Sequence, residues 1–273
     1  MKRTVAIIIV ALAVAGVAQA AQFGTNPNPA NPPSGAPYVP DAPNITQSVD
    51  PSTITALNGI ACTASGIAAD NHFLRRFFLN GDHGIAVQYN VTSVDFGVES
   101  VNVYIGATAP ITVSTYSIAN GAGFTFANMG TALASTTRNF ADGSGGFVEN
   151  FVVSGSIIDP VGQDLVVDMF WPDVTATGDY GIWPGTNAAG ETQPGYLASV
   201  GCGLAEPATL DSIGFPAVDL VVTVNGDEQV VPTPTPPPPS GAAQPVPSLN
   251  NYGIVAMVLL LIGVAVLVMW RRS

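Results

Sequence analysis

Eighteen consecutive residues, Gly253 to Trp270, carry no charge, and that run constrains the chain more than any other feature. As a helix rising about 1.5 Å per residue it covers roughly 27 Å, close to the thickness of a bilayer's hydrocarbon core. Tyr252 and Trp270 bracket it where amphipathic rings favour the membrane interface, and Arg271 and Arg272 follow at once. By the positive-inside rule the short tail stays in the cytoplasm and everything before it lies outside. The other end is complementary. Lys2 and Arg3 precede an apolar stretch, Val5 to Val17, and Ala18-Gln19-Ala20 offers small residues to a signal peptidase. The spacing predicts a signal peptide over 1–20, cleaved after Ala20, and a sorting or transmembrane segment over 248–273.

Charge follows the same division. All 19 acidic residues lie between Asp41 and Glu228, whereas four of the seven basic ones sit in the two end segments. The exported part therefore keeps three basic residues and a formal charge of −16, which repels nucleic acid and excludes it as a partner. Cys62 and Cys202 are the two cysteines. In an oxidising compartment they form one disulfide; a catalytic thiol or metal pair would need neighbours that His72 and His83 alone do not supply.

Prolines divide the interior. Eight of the 23 fall in Pro27 to Pro51 and eight in Pro232 to Pro247. The first cluster lacks an apolar period and predicts a disordered leader over 21–51. The second predicts a polyproline-II stalk over 232–247, about 50 Å long at about 3.1 Å per residue. Between them, 52–231 reads as one domain. Val101, Val103 and Ile105 alternate with Asn102 and Tyr104; Leu165, Val167 and Met169 alternate with Val166 and the acidic Asp164 and Asp168. Period two with β-branched residues means strands with one buried face. Asn80-Gly81-Asp82, Asn120-Gly121 and Asp142-Gly143-Ser144-Gly145-Gly146 are turns between them. The fold class is all-β, a β-sandwich or jelly roll, with a single helix at the C-terminal membrane segment.

Val246-Pro247-Ser248-Leu249-Asn250-Asn251-Tyr252-Gly253, the apolar run and Arg271-Arg272 resemble the IPTL-CTERM class of bacterial C-terminal sorting signals. Pro247, Leu249, Gly253 and the basic end match; Val246 replaces the usual Ile, and Tyr252 stands where Trp is commoner. The resemblance implies processing by a membrane sorting enzyme and display at the outer surface, with the tail either cut or kept as an anchor. The interior is similar to a family of secreted bacterial β-sandwich domains in Ile60-Ala61-Cys62-Thr63, Asp70 to Phe77, Val91 to Glu99, Asp164 to Asp168, Thr186 to Gly190, Tyr196-Leu197, Cys202-Gly203 and Ile213 to Pro216. That similarity implies fold and location, not an activity.

Candidate chemistry is sparse. The sequence has no Gly-x-Ser-x-Gly, no His-Glu-x-x-His and no phosphate-binding glycine loop. Alternation sends Arg75 and Arg76 to opposite faces, one of them expected to pair with Asp95 or Glu99. Trp171, Tyr180, Trp183 and Tyr196, beside Asp173, Asp179 and Asn187, have the composition with which sandwich loops hold sugars; core packing is the competing use of those rings. Asp142, Asp173 and Asp179 lie in loops whose carboxylates and carbonyls suit calcium. Three functions follow: a binding or adhesion module without catalysis, a secreted carbohydrate-active hydrolase with two working carboxylates, or a structural envelope component. Exposure of Trp171 and Trp183 in a cleft favours the first, and burial of both the last.

Overall fold

The computed structural model describes residues 20–27, 44–229, 259–260 and 270–271. The expected signal peptide up to residue 19, the stalk and most of the C-terminal segment lie outside the described residues. Among the described residues no helix is long and apolar enough to cross a membrane. The chain divides into two units, Met1–Val230 and Val231–Ser273, and the sheets among the described residues belong to the first.

The unit is all-β, as the period-two pattern requires, and sandwich-like. Sheet I is organised around one 15-residue strand, Tyr89–Val103. That strand pairs with Gly155–Ile157, Phe147–Phe151, Tyr180–Pro184 and Val222–Glu228, and the last of these pairs with Asn44–Thr46. Sheet II runs Leu204–Thr209, Tyr196–Ser199, Asn71–Phe77, Gln163–Trp171, Thr108–Ala119, Ala134–Ala141. Every pairing is antiparallel. Val94, Phe96, Val98, Val222, Val224 and Phe151 of sheet I share one core with Phe73, Phe77, Val167, Met169, Ile111 and Val113 of sheet II. Their alternation gives each strand a side to bury, and burying both sides against each other excludes water from the two.

Two features differ from the sequence expectation. The alternation of Val101, Val103 and Ile105 predicts a short strand reaching Ile105, yet one strand starts at Tyr89 and stops at Val103. It is buried along most of its length, so alternation does not mark where it ends. At its middle Gly97 meets Gly185: the Gly185 amide donates to the Gly97 carbonyl at 2.6 Å, and a Cβ on Gly97 would stand 2.7 Å from the Gly185 oxygen. Secondly, the 21–51 leader is structured at both ends. Gln22–Thr25 pairs with Ile60–Ala64, and Asn44–Thr46 joins sheet I. Segments of four and three residues are too short to show a period, so the domain starts about thirty residues earlier than Ser52.

The N-terminal strand is held by a buried carboxylate. Glu99 is fully buried and accepts from Asn26 Nδ2 at 3.0 Å, the Leu57 amide at 2.5 Å and the Gly59 amide at 2.7 Å. Burial raises its pKa, opposed by these three donors.

The disulfide is set up locally. Ser65 and Gly66, both at positive φ, turn the chain between Ile60–Ala64 and Ile67–Ala68, the geometry of a two-residue hairpin turn. Buried Asn71 then accepts from the Cys62 amide and donates to the Cys62 and Ala69 carbonyls. Asp70 receives the Val200 and Gly201 amides at 2.7 and 2.8 Å, fixing the turn Val200–Cys202 beside them. Cys62 and Cys202 are joined with 6.0 Å between their Cα atoms, within the range a disulfide spans.

Candidate functional site on the outer face of sheet II

The aromatic cluster expected to hold sugar is taken apart by the fold. Trp171 is 0% exposed and Trp183 1%, and both belong to the central core with Tyr180. Asn187 is buried, its amide donating to the Asp50 and Thr53 carbonyls. Trp171 follows Leu165, Val167 and Met169 at period two and so points inward with them. The sugar site built on Trp171, Tyr180, Trp183 and Asn187 is therefore corrected to core packing. Asp173 is exposed and accepts its own turn's Thr175 amide. Of the expected set, Tyr196 alone lies on the outer face of sheet II, its ring edge-on to Phe124 at 4.4 Å.

The calcium expectation finds no assembled site either. Asp142 accepts the Val103 amide, and the Asp179 backbone carbonyl accepts the Tyr104 and Ile105 amides. Among the described residues no group of three or more His, Cys, Asp or Glu side chains is placed to hold a metal ion.

The arginines do face opposite ways, but with other partners than expected. Arg75 lies wholly buried on the inner side, its Nη2 at 2.6 Å from Glu191 and donating also to the Leu220 carbonyl, while Nη1 donates to Gln193. Arg76, on the outer side, gives Nε and Nη2 to Asp164 at 2.9 and 2.6 Å and ties down the carbonyls of Ala119 and Ala122. Asp95 instead accepts from Asn150 and Asn225.

What the fold assembles is a second ion-pair position one step along the same two strands. Register sets Phe170 opposite His72, Asp168 opposite Leu74 and Val166 opposite Arg76. His72 and Arg76 are four residues apart, as are Asp164 and Asp168. Antiparallel pairing thus puts Asp168 beside His72 just as it puts Asp164 beside Arg76. His72 Nδ1 lies 2.9 Å from Asp168 Oδ2. A carboxylate oxygen accepts, so Nδ1 is the donor in this contact. Asp168 is 2% exposed, and among the described residues its Oδ1 has no hydrogen bond. Burial raises its pKa, and the hydrogen bond and charge of His72 oppose that rise.

The imidazole is also clamped between rings. It stacks on Phe170 at 4.4 Å and meets the edge of Phe126 at 5.0 Å. Phe126 begins the short helix Phe126–Met129, whose Thr125 side chain caps it and whose first amide donates to Glu206. That segment covers a small second core of Leu74, Ile118, Met129 and Val166. Beyond it, across Thr108–Ala119 and Ala134–Ala141, the same face carries paired hydroxyls: Thr112 with Thr137 at 2.8 Å, and Ser114 with Ser135 at 3.0 Å. The half-buried Tyr116 lies in the same row, its phenol pKa raised by burial and by Asp168. A strip of stacked rings beside a ladder of hydroxyls offers apolar faces and both donors and acceptors.

The chain matches no family model and no curated protein. Among solved structures, the chain is similar to the cysteine protease and lectin-like domains of Cwp84, a surface layer associated protein of Clostridium difficile, at 14% identity and a TM-score of 0.34. The match covers 64% of this chain and 38% of that one, so the chain spans well under half of its neighbour's length.

Proposed function

We propose that this is a non-catalytic, surface-displayed β-sandwich module that binds glycans on the outer face of sheet II. The proline-rich stalk would carry it clear of the membrane, and the C-terminal tail would sort it. The observation that carries the binding reading is the His72–Phe170 stack set beside the hydroxyl ladder of Thr112, Thr137, Ser114 and Ser135. Sugar rings pack a hydrophobic face on an aromatic plane and exchange hydrogen bonds at their rim. Burial of Trp171 and Trp183 removes the site first expected, so the binding reading now rests on this face alone.

A glycan array with the purified full chain tests it. Binding to one class of glycan, reduced up to about tenfold in F126A, as loss of an aromatic contact worth about 0.5–1.5 kcal/mol would give, supports the proposal. An array without signal returns the protein to the structural reading. Shortening of the bound glycans, abolished in H72Q, would favour the hydrolase alternative with His72 and Asp168 as its proton-transfer pair.

Export is supported by the closed Cys62–Cys202 bond, since structural disulfides persist in oxidising compartments. The expected mature polypeptide begins at Ala21, one residue before the strand Gln22–Thr25. Intact-mass measurement of the envelope fraction should show loss of residues 1–20 and no thiol reacting with maleimide before reduction. An unprocessed cytosolic chain with two free thiols would sink this proposal.

A further inference from the structure

At the sheet I side of the molecule is a cleft of about 360 Å³, lined by Ile45, His83, Ile85, Tyr89, Asp227 and Glu228, with Asn44 also at its wall. Its floor is apolar, since Ile45 and Ile85 are both buried core residues. Among the described residues, two polar atoms of its lining side chains lack partners: the shielded Tyr89 hydroxyl and His83 Nε2 make no hydrogen bond. Tyr89 is 2% exposed. The fold makes room for that hydroxyl. Between Asn225 and Gly226 the register shifts, and a Cβ on Gly226 would stand 2.8 Å from the Tyr89 oxygen. A partnerless buried polar group is costly, and here two of them line one cleft.

We propose that this cleft binds an alkylammonium group, the chemistry shared by small aliphatic amines and lysine side chains. The lining chooses the ligand. Asp227 and Glu228 are exposed at the end of Val222–Glu228 and only accept hydrogen bonds. A neutral imidazole accepts at Nε2, and a phenol oxygen accepts as well. Burial keeps both groups in their uncharged forms. It pushes the His83 pKa down against the pull of Asp82, and the Tyr89 phenol up, with Asp227 and Glu228 adding to the rise. Among the described residues no lysine or arginine lines the cleft. A ligand that satisfies these groups must therefore donate, carry positive charge and place methylenes on Ile45 and Ile85. This site lies apart from the face on which glycan binding is proposed, so the two stand or fall separately.

Calorimetric titration of the full chain with n-butylammonium, and with 1-butanol as the neutral analogue of equal length, tests the inference. The ammonium should bind and the alcohol should not. D227N/E228Q, which alters only exposed side chains and should melt as the parent does, is expected to weaken ammonium binding about tenfold or more at low salt. Y89F should weaken it with the apolar floor unchanged. Tighter binding of 1,5-diaminopentane assigns the site to free amines, and tighter binding of Nα-acetyl-lysine amide to a peptide partner. Equal binding of butanol and butylammonium, unchanged affinity in D227N/E228Q, or no binding by any amine overturns the proposal.

Discussion

The C62A/C202A variant is expected to lose about 5 kcal/mol of unfolding free energy, the value the chain-entropy model gives for a loop of this size. The bond joins residues 140 apart, so without it the unfolded chain gains nearly the full conformational freedom of the domain. In the folded state little should change. Asn71 still clamps the backbone of residue 62, and Asp70 still holds the Val200 and Gly201 amides. Denaturant melts should therefore show a lower midpoint with the same native circular dichroism. For a domain of about 200 residues that loss corresponds to roughly 10–20 °C in Tm. A change below about 1 kcal/mol would mean that the reduced unfolded chain is already compact there.

Arg75→Met is expected to cost about 3–5 kcal/mol, the range for removing one partner of a buried pair. Arg75 is wholly buried, and its guanidinium serves Glu191, Leu220 and Gln193 together. Methionine fills much of the volume but leaves Glu191 Oε2 and the Gln193 carbonyl without their donor, while the Leu220 carbonyl keeps Ser48 Oγ. Burial already raises the Glu191 pKa, and Arg75 opposes that rise. Removing the arginine raises it further. A carboxyl whose folded pKa lies above its unfolded one weakens the fold as pH climbs through that interval, and ceases to do so below the unfolded value. The gap between parent and R75M in urea midpoints should consequently be wider at pH 7 than near pH 4. R75M/E191M, which removes the charge as well as its partner, should recover part of the loss. Equal loss at both pH values would show that packing, not charge, dominates at this position.

The fold class was legible because strands with one buried face print their period into the sequence, as Val101-Asn102-Val103 and Leu165 to Met169 do. Strands buried throughout print nothing of the kind. All five residues of Tyr180–Pro184 are buried, which hid both the strand and the fate of Trp183. Trp171 was legible after all, since it continues the inward series Leu165, Val167, Met169. The His72–Asp168 pair had a signal too: two polar residues four apart on one strand, and two carboxylates four apart on another. Reading it requires knowing that the strands are neighbours, which is a matter of topology and not of local pattern. Glu191, the partner of Arg75, is 116 residues away in a loop, and no period announces such a residue.

The cross-link also has a mechanical meaning. If the chain is pulled by its two ends, tension enters at the segment before Cys62 and leaves after Cys202, by-passing the 140-residue loop between them. At about 3.3–3.6 Å per extended residue, on the order of 480 Å of contour length is withheld from stretching. Strands on both rows of the His72–Asp168 face, from Asn71–Phe77 through Ala134–Ala141 and Gln163–Trp171, fall inside that shielded loop. A hard pull on the two ends would thus peel away the outer segments while that face stays slack and keeps its shape.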